Sequence, residues 1–131
     1  MSYFLRLISL EANQTGADGF FNDDDETYIQ LNGERIWEDD LETGDVVFFD
    51  DTDGFVDDIE NSFFFEDFVT VSLYDEDEGL FGITEVGGND DFLGSHIIQP
   101  TTIEPFIEVI NLSESGSEYT LTYEVTSWLA V

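Results

Sequence analysis

The chain reads as an all-β protein, an eight-stranded antiparallel β-sandwich, on three observations. Short apolar segments alternate with a period of two, turn residues recur between them at regular spacing, and no segment sustains a helical apolar period. Tyr119, Leu121, Tyr123 and Val125, which alternate with Thr120, Thr122, Glu124 and Thr126, form the cleanest of these patterns. Regular strand spacing with turn signals points to a sandwich or barrel rather than to a helix-containing fold. The 131 residues show no internal repeat and no linker, so residues 1–131 are expected to form a single β-sandwich domain.

Tyr3 to Glu11 is the first strand, with Leu5, Leu7 and Leu10 available to a core. An acidic loop from Asn13 to Glu26 follows, and Thr27 to Leu31 is the second strand. Asn32-Gly33 is a hairpin signal, because both residue types tolerate positive φ, and Glu34 to Trp37 returns. Asp45 to Phe49 is the next strand, between acidic connections at 38–44 and 50–61. Ser62 to Tyr74 reads as one long apolar strand with a bend at Glu66-Asp67. Gly94 to Gln99, Glu104 to Leu112 and the Tyr119 strand complete the set. If consecutive strands run up and down, loops 13–26, 38–44 and 75–93 share one end of the sandwich, and loop 50–61 lies at the other.

Composition bounds what such a domain can bind. There are 32 Asp plus Glu, no Lys, and only Arg6 and Arg35, for a formal net charge of -30. With 41% hydrophobic residues and 13 Phe, the acidity decorates a folded body rather than a disordered tail. Self-repulsion at this charge calls for counter-ions: small cations first, then a basic protein partner. Nucleic acid is excluded as a partner, since no basic side chains are available to neutralise phosphates. Anionic membranes are disfavoured unless calcium bridges the two surfaces. With no cysteine, a thiolate zinc site and a cysteine nucleophile are both ruled out. The N-terminal residues lack the pattern of a signal peptide, so a cytoplasmic location is expected.

The stretch from Val71 to Gly94 carries the most chemistry. A strand ends at Asp75-Glu76-Asp77, and the chain returns through Asn89-Asp90-Asp91-Phe92-Leu93-Gly94. Alternate residues of an extended segment face one side, so Asp75 and Asp77 present carboxylates together, with Asp91 where the chain returns. Converging carboxylates call for a metal, and hard oxygen ligands on a loop suit Ca2+.

These residues resemble the C-two domain, the eight-stranded calcium-binding sandwich module first known from protein kinase C and synaptotagmin. Leu73-Tyr74-Asp75-Glu76-Asp77 and the later Asn-Asp-aromatic-aliphatic-Gly ending are similar to the family's third-loop pattern. Asp25-Glu26-Thr27-Tyr28-Ile29-Gln30-Leu31 is similar to its first-loop strand entry, with Glu26 where the family carries Pro. The resemblance implies five calcium-ligating carboxylates: Asp18, Asp25, Asp75, Asp77 and Asp91. The family's lysine-rich lipid-binding strand has no counterpart here, so the implication is fold and calcium ligation rather than membrane docking.

Other features have simpler readings. Asp75, Asp77 and Asp91 could be solvated turn residues in so acidic a chain. Phe49 to Glu60 places Asp51, Asp53, Asp57 and Glu60 at positions of an EF-hand loop, but Phe49 stands where the first carboxylate belongs, and the segment reads equally as a plain acidic connection. His96 is the sole histidine and completes no transition-metal set. No nucleophile, base and acid occur at a recognisable spacing, so the chain is not expected to be an enzyme. Trp37, Trp128 and Phe63-Phe64-Phe65 read as core, although alternate residues of the Phe run must face outward. The leading expectation is a calcium buffer or sensor. The alternatives are an acidic surface adapted to high salt, a decoy surface for a basic partner without specific metal sites, and, on likeness of composition alone, a calcium-sequestering regulator similar to small acidic proteins of cyanobacteria.

Overall fold

The computed structural model describes residues 1–16, 25–76 and 90–128. Within them nine strands follow in order: β1 (Ser2–Gln14), β2 (Asp25–Leu31), β3 (Glu34–Leu41), β4 (Val46–Phe48), β5 (Ser62–Glu66), β6 (Val69–Asp75), β7 (Asp91–Ile98), β8 (Phe106–Leu112) and β9 (Glu118–Ser127). They form two antiparallel sheets, one of four strands in the order β3-β2-β6-β7, the other of five in the order β4-β1-β9-β8 with β5 also on β1. Inward-facing side chains of both sheets, among them Leu5, Leu7, Leu10, Ile29, Trp37, Leu73, Leu121 and Tyr123, are wholly or almost wholly buried and make one core. The β-sandwich expected from the alternation is therefore present.

The ninth strand corrects the reading of 62–74 as one strand. Asp67 adopts φ 59°, a left-handed conformation that reverses the chain between β5 and β6. β5 joins β1 in one sheet and β6 joins β2 and β7 in the other, so the bend at Glu66-Asp67 is a change of sheet. Asp67 is held at the turn by its carboxylate, 3.1 Å from the N-terminal ammonium. At the other predicted turn, Asn32 (φ 51°) and Gly33 (φ 84°) both take positive φ, the backbone of a tight hairpin.

A second correction concerns 50–61. β4 and β5 are both antiparallel to β1, β4 at its C-terminal half and β5 at its N-terminal half. They run the same way, so the chain between them lies along the flank of the sandwich instead of at an end. Phe55 there bridges to Trp37, and Phe49, Phe55 and Phe63 continue a line of aromatic contacts from Trp37 with ring centroids 5.3, 5.8 and 6.3 Å apart. The segment closes the open side of the core.

β1, β3, β6 and β8 end at one pole of the molecule, where β2, β7 and β9 begin, as the antiparallel registers require. The turn joining β3 to β4 packs there too: the Gly44 amide donates to the Ala12 carbonyl at 2.7 Å. The strand ends on either side of 17–24 and 77–89 lie at this pole, while those two stretches themselves lie outside the described residues. At the opposite pole lie the Asn32-Gly33 turn, the start of β1 and the ends of β5 and β9.

Candidate metal centre

The inward-facing stripe of β2 is Asp25, Thr27, Ile29 and Leu31, and that of β6 is Val69, Val71, Leu73 and Asp75, every one of them buried. Along both strands the interior is apolar up to Ile29 and Leu73, and beyond them, at the acidic pole, it becomes Thr27 and the carboxylates of Asp25 and Asp75. Asp25 and Asp75 are each 0% exposed. Burying a carboxylate is costly unless hydrogen bonds or cations compensate, and the strands around this layer supply donors.

Asp25 Oδ1 accepts from the Gly16 amide at 3.1 Å, and its Oδ2 accepts from the Ser117 hydroxyl at 2.9 Å and from the Tyr119 hydroxyl at 2.5 Å. Asp75 Oδ1 accepts from the Glu26 amide at 2.7 Å. Thr27, opposite Asp75 in the β2–β6 register, places its Oγ1 2.9 Å from the Tyr119 oxygen. Tyr119 thus reaches across from the five-stranded sheet to the carboxylate layer of the other. Burial, reinforced by the hydrogen bond to Asp25 and by the charges of Asp25 and Asp75, pushes its hydroxyl well above the ordinary tyrosine range.

β7 brings Asp91 opposite Asp75. The register slips one residue between Leu73 and Tyr74, so Leu73 faces Gly94 while Tyr74 faces Phe92 and Asp75 faces Asp91. This bulge turns Phe92 outward against Tyr74, with centroids 5.5 Å apart, and leaves Leu93 fully buried. Gly94 carries it at φ +136°, and a Cβ there would stand 2.9 Å from Cβ of Leu112. The Asp-Phe-Leu-Gly ending is therefore a bulge that aligns Asp91 with Asp75.

Of the five expected ligands, Asp25, Asp75 and Asp91 meet at this pole, whereas Asp18 and Asp77 lie outside the described residues. Among the described residues, no group of three or more His, Asp or Glu stands arranged to hold a metal ion. This includes the EF-hand-like segment, where Asp51, Asp53, Asp57 and Glu60 are exposed. Ser117 and Tyr119 did not figure among the expected site residues. The inward position of Tyr119 was legible in its alternation, but nothing local told that its hydroxyl ends at a carboxylate.

Next to the carboxylate layer, on the outside of the four-stranded sheet, an acidic groove of about 260 Å³ is lined by Glu26, Thr27, Glu38, Asp39, Asp40 and Glu76. Arg35 borders it, bound to Glu76 at 3.1 Å and Glu38 at 3.2 Å, with its guanidinium 3.6 Å above the Tyr28 ring. Tyr28 stacks on Tyr74 at 5.3 Å and donates its hydroxyl to Asp90. Burial, with the Asp90 hydrogen bond, pushes that hydroxyl up as well. A chain of rings, Tyr28, Tyr74 and Phe92, thus underlies the acidic rim of the pole.

No protein-family model matches the chain, and no curated protein does. Among solved structures it is similar to human GIVD cytosolic phospholipase A2, at 14% identity and a TM-score of 0.49, over 95% of this chain and 17% of that one. It is also similar to Drosophila C2-DSL-EGF1, at 12% identity and a TM-score of 0.49, over 95% of this chain and 66% of that one. The chain spans less than two thirds of either protein. Among the described residues no helix is long and apolar enough to cross a membrane.

Proposed function

We propose that this chain is a non-enzymatic calcium-binding protein that holds Ca2+ at the acidic pole of its sandwich. The observation that carries the reading is the carboxylate layer closing the core: Asp25 and Asp75, each 0% exposed on adjacent strands, with Asp91 in register beside Asp75. Carboxylates gathered at the end of an apolar core repel one another, and a hard divalent cation relieves that repulsion while accepting oxygen ligands. The hydrogen bonds from Gly16, Ser117 and Tyr119 set the orientation of the Asp25 carboxylate, as outer-shell partners do for metal ligands. Asp18 and Asp77 are the remaining ligands in this reading, on the connections that enter β2 and leave β6. Calcium then neutralises these carboxylates, and the protein acts as a buffer or as a charge switch for a partner.

Calorimetric titration of Ca2+ into the wild type and into the Asp75→Asn, Asp77→Asn double variant tests the reading. A saturable isotherm lost or weakened by about two orders of magnitude in the variant is expected, and indistinguishable isotherms would overturn it. Thermal unfolding provides the second arm. A rise in Tm at millimolar Ca2+ follows from binding linkage, whereas stabilisation that requires molar KCl and ignores Ca2+ would assign the acidity to salt adaptation of the surface.

A further inference from the structure

The outer face of the five-stranded sheet differs from the rest of this acidic surface. Phe64 alternates on β5 with Phe63 and Phe65, which face inward, so it stands outside, 55% exposed. Phe4 lies opposite it on β1, and Trp128 follows the end of β9, 56% exposed. The three rings touch: Phe4 to Phe64 at 5.9 Å, Phe4 to Trp128 at 5.5 Å and Phe64 to Trp128 at 6.3 Å. On the same face, β8 exposes Ile107 and Val109, each at 61%, and β4 exposes Phe48 at 59%. Trp128, expected in the core, is thus part of an exposed cluster of three aromatic rings, the kind of apolar feature that marks an interaction surface.

Charge selects the occupant. Every Lys, Arg or terminal cation of the chain is already engaged: Arg6 with Glu124 and Asp50, Arg35 with Glu76 and Glu38, and the N-terminus with Asp67. Glu66, two positions beyond Phe64 on β5, is exposed on the same face. A second copy of the chain would bring a further formal charge of -30 to this face, and an anionic lipid surface would be repelled in the same way. A polypeptide carrying Lys or Arg along one side of an apolar stripe fits both features, with its cations placed over open aromatic faces and against the carboxylates. We propose that the outer face of the five-stranded sheet, centred on Phe4, Phe64 and Trp128, docks a cationic amphipathic polypeptide segment. The centre of this surface lies at the opposite pole from the carboxylate layer, and the proposal is independent of the calcium reading.

The two tryptophans make the test direct, since Trp37 is fully buried and Trp128 is exposed. A tryptophan-free amphipathic peptide of leucine and lysine is titrated into the calcium-free protein, with a peptide of the same charge whose leucines are replaced by serine as control. The expected result is a blue shift of Trp128 emission with the leucine peptide, and an affinity at least about tenfold tighter than the control's. Phe64→Ser and Trp128→Ser, both at exposed positions and with unchanged Tm, are expected to bring the calorimetric affinity for the leucine peptide down towards that of the control. Equal affinity for the two peptides, or no effect of Phe64→Ser, would overturn the proposal. An equal blue shift on neutral phosphatidylcholine vesicles would overturn the assignment to a polypeptide.

Discussion

At one pole of the sandwich two carboxylates, Asp25 and Asp75, are fully buried, while at the other two aromatic side chains, Phe64 and Trp128, stand more than half exposed. Each placement runs against the ordinary preference of its residue type, and each is supported differently. The carboxylates sit in a lattice of donors contributed by both sheets, Gly16, Glu26, Ser117 and Tyr119. The aromatics make ring contacts with one another and with Phe4. A buried charge has to be held by its surroundings, so the acidic pole is woven into the fold. An exposed ring costs the fold little, so the aromatic pole is separable from it. Substitutions at the two poles should therefore differ in their effect on stability.

The largest effect is expected from Asp25→Ala. It removes the acceptor of the buried Ser117 hydroxyl and of the Gly16 amide and leaves the Tyr119 hydroxyl with Thr27, and should cost about 3 kcal/mol by urea unfolding in calcium-free buffer. A loss below about 1 kcal/mol would break the contrast. Gly94→Ala comes next, at about 2 kcal/mol, because a side chain at φ +136° also meets Leu112. It should weaken Ca2+ binding too, by shifting the bulge that aligns Asp91. Tyr119→Phe leaves the packing but removes the hydrogen bonds to Asp25 and Thr27, for about 1.5 kcal/mol.

The same tyrosine sharpens the contrast through pH. Burial raises the hydroxyls of Tyr28, Tyr119 and Tyr123 above their unfolded value, in each case aided by a carboxylate partner. The unfolded chain therefore loses these protons first. Their contribution to stability is complete below about pH 10, the unfolded tyrosine pKa, and is lost as the pH rises beyond it. Phenolate absorbance of these three should appear only with alkaline unfolding, and Tyr119→Phe should reduce the steepness of that decline. The smallest effect is expected from Trp128→Ser, below about 0.5 kcal/mol and with the Ca2+ isotherm unchanged. A larger loss would make the aromatic cluster part of the fold's support rather than a free surface.

Much of the architecture was legible along the chain because it is set by short-range rules. Period-two alternation identified the strands and which residues of β6 and β9 face inward. Asn32-Gly33 was readable as a hairpin because positive φ is a local property of those residues. That Asp91 comes back near the end of β6 followed from a strand, a connection and a return, while its register opposite Asp75 depends on the bulge at Leu93. What misled the reading was equally specific. The apolar run 62–74 concealed a change of sheet at Asp67, since an apolar strand reads alike whichever sheet it joins. Residue type alone places Trp128 in the core, and no local pattern marks Ser117 as a partner of Asp25.

By itself the sequence determined the class of the fold, the alternation that turns Val69, Val71 and Leu73 inward, and a formal net charge of -30. These depend on residues a few positions apart, or on composition. The tertiary structure alone decided that Tyr119 and Ser117 close over Asp25, from 94 and 92 residues away. It likewise decided that Phe4, Phe64 and Trp128 share one exposed patch. Both depend on the order of strands within a sheet and the packing of one sheet on the other, and strand order is fixed by the competition of all strands for the same edges, which no local pattern records.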